Sequence, residues 1–204
     1  PVKGMTALMH AVLYGRYPAV LWLLREFGAD LNAEEDFESR SALHFACAAG
    51  RPLITSLLLR NGALVEVKNS KGRTPLFAAA DKGHLNTLRL LHRFGANPAA
   101  TDTDNFTALH VATDRGHTSS VACLLEMGAP VDAAEKKWKA TPLHLACDKG
   151  HFHCAQLLLN AGAGVNFQTT DGRTPFLMAA AGNHVEILEL LAHFGADISL
   201  PNGE

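Results

Sequence analysis

The sequence predicts an all-α protein built from a stack of short helix-turn-helix repeats. Three observations lead to this prediction. A hydroxyl residue followed by Pro or Ala and then an apolar residue recurs six times at intervals of 33 to 35 residues. Each copy carries Gly or Asn nine residues later and closes on Gly-Ala. Ala, Leu and Gly are abundant whereas Tyr occurs only twice in 204 residues, which favours helices over a β-sandwich. Because one repeat cannot bury its apolar face alone, neighbouring repeats must stack into a solenoid.

The first helix of each repeat is expected to begin after its hydroxyl residue. A Ser or Thr side chain at this place accepts hydrogen bonds from the free N–H groups of the first turn. The six predicted N-caps are Thr6, Ser41, Thr74, Thr107, Thr141 and Thr174. Pro75, Pro142 and Pro175 directly follow their caps, at the helical position where a missing N–H costs nothing.

The first helix must end nine residues after the cap, where Gly tolerates a positive φ. These residues are Gly15, Gly50, Gly83, Gly116, Gly150 and, in the sixth repeat, Asn183. A second amphipathic helix follows, as in Leu85, Leu88 and Leu91. Its closing Gly-Ala turns the chain into an extended segment that leads to the next cap. We name these segments fingers 2 to 6, residues 29–40, 63–73, 96–106, 129–140 and 163–173.

The predicted organisation is a single domain over residues 1–204. Its six repeats cover approximately residues 2–34, 35–69, 70–101, 102–135, 136–168 and 169–201. The second helix of repeat 1 has one extra residue, and fingers 2 and 5 are each one residue longer than the others. The chain starts without Met, and its tail reads as the start of another finger. We therefore expect a segment of a longer array.

These repeats resemble the ankyrin-repeat family. The resemblance rests on the T-P-L-H-x-A signature at residues 141–146, its variant at residues 107–112, and the period near 33 residues, and it runs from Gly4 to Ser199. It implies that the first helix of each repeat, the inner helix, lines a concave surface together with the β-hairpin-like fingers, and that the second helix, the outer helix, lies behind it. In the family this concave surface usually binds partners. The exposed inner positions that this implies are Leu13-Tyr14, Ala48-Ala49, Asp81-Lys82, Asp114-Arg115, Asp148-Lys149 and Ala181-Gly182.

The cysteines and histidines are residues of this chain that could bind a metal ion. The four cysteines, Cys47, Cys123, Cys147 and Cys154, match no zinc or disulfide spacing, so we expect reduced thiols and an intracellular protein. His151 and His153 lie close to Cys147 and Cys154, which could suggest zinc. However, His151 recurs in register with His84, His117 and His184, where the resemblance implies a tie between the two helices of a repeat. His44, His110 and His144 also recur in register, and we expect them to bond finger backbone. No metal and no cofactor are expected.

Other function classes find little support. The formal net charge of −2 and the pI of about 6.6 argue against nucleic acid as a partner. No apolar run approaches the roughly 18 residues of a membrane span, so direct membrane insertion is not expected. No phosphate-binding loop or hydrolase motif is present, and we expect no enzymatic activity. In isolation the chain is expected to be an elongated, curved monomer.

The charged and aromatic residues of the fingers differ from one repeat to the next more than the rest of the repeat does. Finger 2 is acidic, finger 3 carries Lys68, Lys71 and Arg73, finger 4 carries Asp102 and Asp104, and finger 5 carries three lysines. This alternation has two interpretations, mutual attraction of neighbouring fingers or a patterned surface for a partner. Trp138 and Phe37 lie among charged residues, as interface aromatics often do, although Trp138 could instead fold back on its own finger or on Phe106. Trp22, in an outer helix, is predicted to be core.

The leading hypothesis is a module that binds a protein or peptide on the concave face and the fingers. The candidate binding residues are Tyr14, Phe37, Lys71, Arg73, Lys82, Phe106, Arg115, Lys137, Trp138 and Lys149. Two alternatives stay open: an architectural segment of a longer array, or a small-ligand site in which Trp138 stacks on a nucleotide base and Lys137 and Lys139 bind its phosphates.

Overall fold

The computed structural model describes residues 4–200, and within them the chain forms twelve α-helices and no extended strand. The helices are α1 Ala7–Leu13, α2 Tyr17–Glu26, α3 Ala42–Ala48, α4 Pro52–Arg60, α5 Pro75–Asp81, α6 Leu85–Arg93, α7 Ala108–Asp114, α8 Thr118–Glu126, α9 Pro142–Lys149, α10 Phe152–Asn160, α11 Pro175–Ala181 and α12 Val185–His193. The all-α prediction is confirmed, and all six predicted residues stand at the N-cap of their helix. The hydroxyl of Thr74, however, is buried and accepts no hydrogen bond from the first turn of α5, so for Thr74 the predicted side-chain cap is wrong. In this part of the chain no helix has the length and apolarity needed to cross a membrane. Of the tail, residues 201–204 lie outside the described residues.

The chain divides into two compact units, Pro1–Thr103 and Asp104–Glu204. Each unit contains three pairs of helices. In the first, the inner helices α1, α3 and α5 pack in series, as do the outer helices α2, α4 and α6. In the second, α7, α9 and α11 form the inner row and α8, α10 and α12 the outer row. The single domain over residues 1–204 and its repeat boundaries stay predictions.

The core of each unit repeats with the sequence. The leucine two residues after the cap is almost fully buried in five repeats, at Leu8, Leu43, Leu76, Leu109 and Leu143. The residue five after the cap is a buried alanine in all six, at Ala11, Ala46, Ala79, Ala112, Ala146 and Ala179. Each buried leucine contributes about 1.5–3 kcal/mol. The small alanines allow neighbouring inner helices to approach closely.

The turn after each inner helix links one repeat to the next. Gly50, Gly116 and Gly150 have positive φ values of 60°, 70° and 73°, and Asn183 has 56°, as predicted. An imidazole from the following repeat lies over each of the three glycines, where a Cβ atom would otherwise project. Its Nε2 donates to a backbone carbonyl of the preceding repeat, in the pairs His84–Ala48 (3.1 Å), His151–Asp114 (3.1 Å) and His184–Asp148 (3.3 Å). These three histidines therefore join adjacent repeats, so the prediction that they tie together the two helices of one repeat is wrong.

A second set of histidines bonds the fingers, as predicted. The Nδ1 atom of His44 accepts the backbone N–H of the Ser41 cap (3.2 Å), so Nε2 carries the proton and donates to the Arg73 carbonyl (3.0 Å). His110 and His144 repeat this arrangement with the carbonyls of Ala140 and Arg173. Burial lowers the pKa of His44 and of His144, although their carbonyl partners oppose the shift. Each imidazole is thus uncharged, and it connects the cap residue of its own repeat to the backbone of the following finger.

Helix α2 differs from the other outer helices. It has ten residues where each of the others has nine, which confirms the predicted extra residue. Val20 is its only buried residue, and Trp22 is 55% exposed with its ring 4.6 Å from that of Phe27. The prediction that Trp22 belongs to the core is therefore wrong. Helix α2 packs through a narrow face around Val20, and Trp22 lies outside that face.

Candidate partner-binding surface

In fingers 2, 3 and 5 a single side chain at the base of the finger accepts several of its backbone N–H groups. In finger 3, the Asn69 side-chain oxygen accepts the backbone N–H groups of Lys71 and Arg73, both at 3.0 Å. In the longer fingers 2 and 5 a buried glutamate takes this place, and its carboxylate reaches across one additional residue. Glu35 accepts the N–H groups of residues 37, 38 and 40, and Glu135 those of residues 137, 138 and 140. The longer side chain therefore matches the longer loop.

The negative charge of Glu35 strengthens its hydrogen bonds to the backbone of finger 2. Burial raises the pKa of its carboxyl group, but the N–H groups of Phe37 and Glu38 and the side chain of Arg40 outweigh burial, so the net pKa is lowered. Glu35 is consequently ionised at neutral pH, and the N–H groups of the finger converge on a full negative charge.

Backbone hydrogen bonds connect neighbouring fingers within each unit. Ser70 N–H donates to the Glu38 carbonyl (2.9 Å) in the first unit. In the second, Lys136 N–H donates to the Asp104 carbonyl and Thr170 N–H to the Trp138 carbonyl, both at 2.8 Å. The fingertips are thus held in register with their neighbours, which keeps the orientation of their side chains well defined.

In the first unit the predicted charge pairing between fingers is present. Lys71 Nζ lies 2.7 Å from a carboxylate oxygen of Glu38, and the hydrogen bond between them lowers the pKa of Glu38. Arg73 Nε lies 2.9 Å from the buried carboxylate of Asp102. The candidate residues Lys71 and Arg73 are therefore already balanced by acidic residues of their own unit.

The candidate residues on the inner helices lie at the helix ends, as the resemblance implies. Lys82 and Lys149 are exposed, and each forms an ion pair with the aspartate before it, at 2.9 Å and 3.0 Å. Arg115 is also exposed, and Tyr14 is 63% exposed at the end of α1.

The candidate aromatic residues differ in their surroundings. Phe37 is 77% exposed, whereas Phe106 is half-buried with its ring 5.4 Å from that of His110. Trp138 is 49% exposed, and the ammonium group of Lys137 lies 4.7 Å from the centre of its ring. Of the candidate finger aromatics, Phe37 and Trp138 are consequently more accessible to a partner than Phe106, and Phe167 of finger 6, which is not a candidate, is as exposed as Trp138.

A cavity of about 270 Å³ opens beside Trp138 in the second unit. Finger 5 contributes Trp138 and Ala140, and helices α9 and α11 contribute Leu145 and Met178, each four residues after its cap. Asp148, Thr169, Asp171 and Arg173 complete the lining. Sequence reasoning missed Ala140, Leu145 and Met178. The sequence did contain an indication of the cavity. Fingers 2, 3 and 6 carry a large Arg immediately before the cap, whereas finger 5 carries the small Ala140 there.

No group of three metal-ligating side chains converges anywhere in residues 4–200. Cys147 and Cys154 are free and buried, and burial raises the pKa of both thiols. A thiol in this state is a poor metal ligand, because metals bind the thiolate. His153, which the sequence places near them, is exposed on α10.

Comparisons with known proteins agree with the repeat structure. A family model described as ankyrin repeats (3 copies) matches residues 43–135 and 131–202, and one described as ankyrin repeats (many copies) matches residues 3–46. The crystal structure of the ankyrin repeat domain of Bcl-3, described as a unique member of the IkappaB protein family, superposes with a TM-score of 0.86 at 31% identity. That match covers 98% of this chain and 90% of the other.

Two relatives known from sequence are much longer proteins. The Caenorhabditis elegans homologue of transient receptor potential cation channel subfamily A member 1 is 44% identical over 82 residues, which is 40% of this chain and 7% of the relative. The Gallus gallus nuclear factor NF-kappa-B p105 subunit is 38% identical over 82 residues, 40% of this chain and 8% of the relative.

Proposed function

The chain belongs to the ankyrin-repeat family, whose repeats are generally protein-interaction modules, and we propose that it is a non-catalytic module that binds a protein or peptide partner through its fingers and inner-helix ends. In the first unit the proposed contact residues are Tyr14, Phe37, Lys71, Arg73 and Lys82. In the second they are Phe106, Arg115, Lys137, Trp138 and Lys149. The module is proposed to act as a monomer inside the cell, where its four free cysteines would stay reduced.

The observation that carries this proposal is the half-exposed side chain of Trp138. Its backbone N–H donates to the Glu135 carboxylate and its carbonyl accepts from Thr170, so the backbone that carries the indole is held on both sides. A large apolar side chain presented from a rigid loop suits a binding anchor, because little conformational entropy is lost when a partner binds. Tryptophan is also enriched among the residues that dominate interface energies.

The ion-paired candidates are proposed to have a lesser role. Lys71, Arg73, Lys82 and Lys149 already lie beside carboxylates, so a partner gains little by approaching them. We propose that they set the orientation of the partner and the rate of association.

Trp22 provides a matched control, because it is exposed to a similar extent as Trp138 but lies on outer helix α2. Peptide ligands selected from a displayed library on the intact chain would be titrated against Trp138→Ala and Trp22→Ala. We expect Trp138→Ala to weaken binding about 30-fold, equivalent to about 2 kcal/mol, with no change in melting temperature. Trp22→Ala should leave affinity intact.

Two results would contradict the proposal. Equal affinity of both variants would remove the finger surface as the binding site. A rise in melting temperature with ATP that Trp138→Ala abolishes would instead support the small-ligand alternative. That alternative is the weaker one, since the Lys137 ammonium already lies over the indole ring on which a base would have to stack.

A further inference from the structure

The residue just before the cap differs between fingers 2 and 5, and in finger 2 it covers an apolar residue of the inner helix that follows. Finger 2 carries Arg40 at this position, and its guanidinium lies 4.7 Å from the ring centre of Phe45, four residues after the Ser41 cap. Its Nε is also bonded to the carboxylate of Glu35 at 3.0 Å. The arginine of this finger thus covers the apolar residue below it.

Finger 5 has the same length as finger 2 but carries Ala140 at the corresponding position. Its methyl group cannot extend over Leu145, which is the counterpart of Phe45. The cavity of about 270 Å³ occupies this space, bounded by Trp138 on one side and Met178 on another. Its volume is below the roughly 300–1,000 Å³ of typical small-molecule sites, so it suits a single side chain of a larger partner.

Four of the eight lining residues of the cavity are apolar, and the two aspartates among the others are each paired with a cation. Asp148 is paired with Lys149 at 3.0 Å, and Asp171 with Arg173 at 2.9 Å. The charges in the lining are therefore locally balanced. Burying an additional charge there would carry a desolvation cost that no free partner offsets, so an apolar side chain is the favoured occupant.

The fingertip beside the cavity carries uncompensated positive charge. Lys136, Lys137 and Lys139 are exposed, and none of them forms an ion pair with another residue between 4 and 200. The nearest acid in sequence, Glu135, is buried and directs its carboxylate to backbone N–H groups. This differs from finger 2, where Lys71 of the next finger neutralises Glu38.

From these observations we infer that the cavity beside Trp138 anchors an acidic peptide segment that carries one apolar side chain. The apolar side chain enters between Trp138, Leu145 and Met178, and flanking carboxylates pair with the lysines of finger 5. The inference rests on the proposed binding function and adds the chemistry of the partner. It also assigns three residues, Ala140, Leu145 and Met178, to the site.

The test uses fluorescein-labelled synthetic peptides of one length, titrated into the full chain by fluorescence anisotropy. Three peptides are compared: Leu flanked by Asp and Glu, Ser in the same acidic context, and Leu flanked by Lys and Arg. We expect the acidic Leu peptide to bind at least 10-fold more tightly than either of the other two. Equal binding of the Leu and Ser peptides would overturn the assignment of the cavity.

Ala140→Arg fills the cavity with the side chain that Arg40, Arg73 and Arg173 provide in other fingers. The added positive charge by itself favours an acidic peptide, so a 10-fold loss of affinity can come only from occupation of the cavity or from misfolding. Circular dichroism and the melting temperature distinguish these two causes. Ala161→Arg adds the same charge at the exposed end of α10 and should leave affinity unchanged or slightly raised.

A third measurement does not depend on how well Ala140→Arg folds. Lys136→Glu and Lys139→Glu lie at exposed positions and should each weaken the acidic Leu peptide several-fold and reduce its dependence on salt. If Trp138→Ala weakens library-selected ligands while Ala140→Arg and the lysine reversals do not, the anchor inference is wrong and the proposed binding function stands. If none of these variants matters, both are wrong.

Discussion

Gly150→Ala tests the contact by which one repeat is linked to the next. Gly150 ends α9 with a φ of 73°, and an added Cβ would lie 2.5 Å from Cε1 and 2.7 Å from Nδ1 of the His184 ring. Two separate costs follow. A residue with a side chain is strained in the left-handed region, and the imidazole must move away from its present position.

The two costs can be estimated separately. The left-handed backbone costs a non-glycine residue about 1–2 kcal/mol. Displacing the ring breaks the hydrogen bond from His184 Nε2 to the Asp148 carbonyl (3.3 Å), which is worth about 0.5–1.5 kcal/mol. The sum is about 1.5–3.5 kcal/mol. Gly162 offers the matched control, because its φ is 88° but nothing lies within 4 Å of the position of its Cβ. Gly162→Ala should therefore lose only the backbone component.

Urea unfolding followed by circular dichroism measures both variants, which lie in the same unit. We expect the free energy of unfolding of Gly150→Ala to fall about 0.5–1.5 kcal/mol further than that of Gly162→Ala. In a His184→Ala background the obstacle is absent, and Gly150→Ala should then cost no more than the control. Equal losses in the wild-type background would refute the packing role of the imidazole.

Three further predictions concern stability. Because burial lowers the pKa of His44 and of His144, the folded state favours their neutral form. Their contribution is complete above the ordinary value of 6.5 and is lost as the pH falls toward the lowered values, so the urea midpoint should drop between pH 7 and pH 5. A flat profile would contradict the assignment of these imidazoles as uncharged. Lys139 has a φ of 58°, so Lys139→Gly should raise the free energy of unfolding by about 1 kcal/mol, and a loss would show that Lys139 makes compensating contacts. EDTA should leave the melting temperature unchanged, whereas a drop of several degrees would reveal a metal near His151 and Cys154.

The helices, caps and turns were predictable because local chemistry determines them. A hydroxyl before a helix and a glycine after it satisfy backbone requirements that depend on few neighbours, so Thr141 and Gly150 could be placed from the sequence alone. The contacts of His184 could not be placed in this way. Its recurrence indicated a structural role, but a period near 33 residues does not distinguish a bond within a repeat from a bond to the preceding one.

The exposure of Trp22 and the cavity beside Trp138 were missed for different reasons. Helix α2 is apolar on most of its surface, so periodicity did not identify the narrow face around Val20 by which it packs. The cavity arises because the side chain of Ala140 is too small to fill the space that an arginine occupies in finger 2. Ala140 becomes informative only when finger 5 is compared with finger 2 and the relation of Arg40 to Phe45 is known in three dimensions.

The histidine links have an evolutionary consequence. In each link the imidazole bonds to a main-chain carbonyl of the adjacent repeat, and every amino acid supplies that carbonyl. Mutations can therefore accumulate at Arg73, Ala48 or Arg173 without removing the acceptor atom. Duplication or exchange of repeats would conserve a joint as long as its histidine survives and, for His84, His151 and His184, the glycine that each ring contacts. Within this chain the fingers differ in length and charge, whereas the histidine joint recurs over Gly50, Gly116 and Gly150.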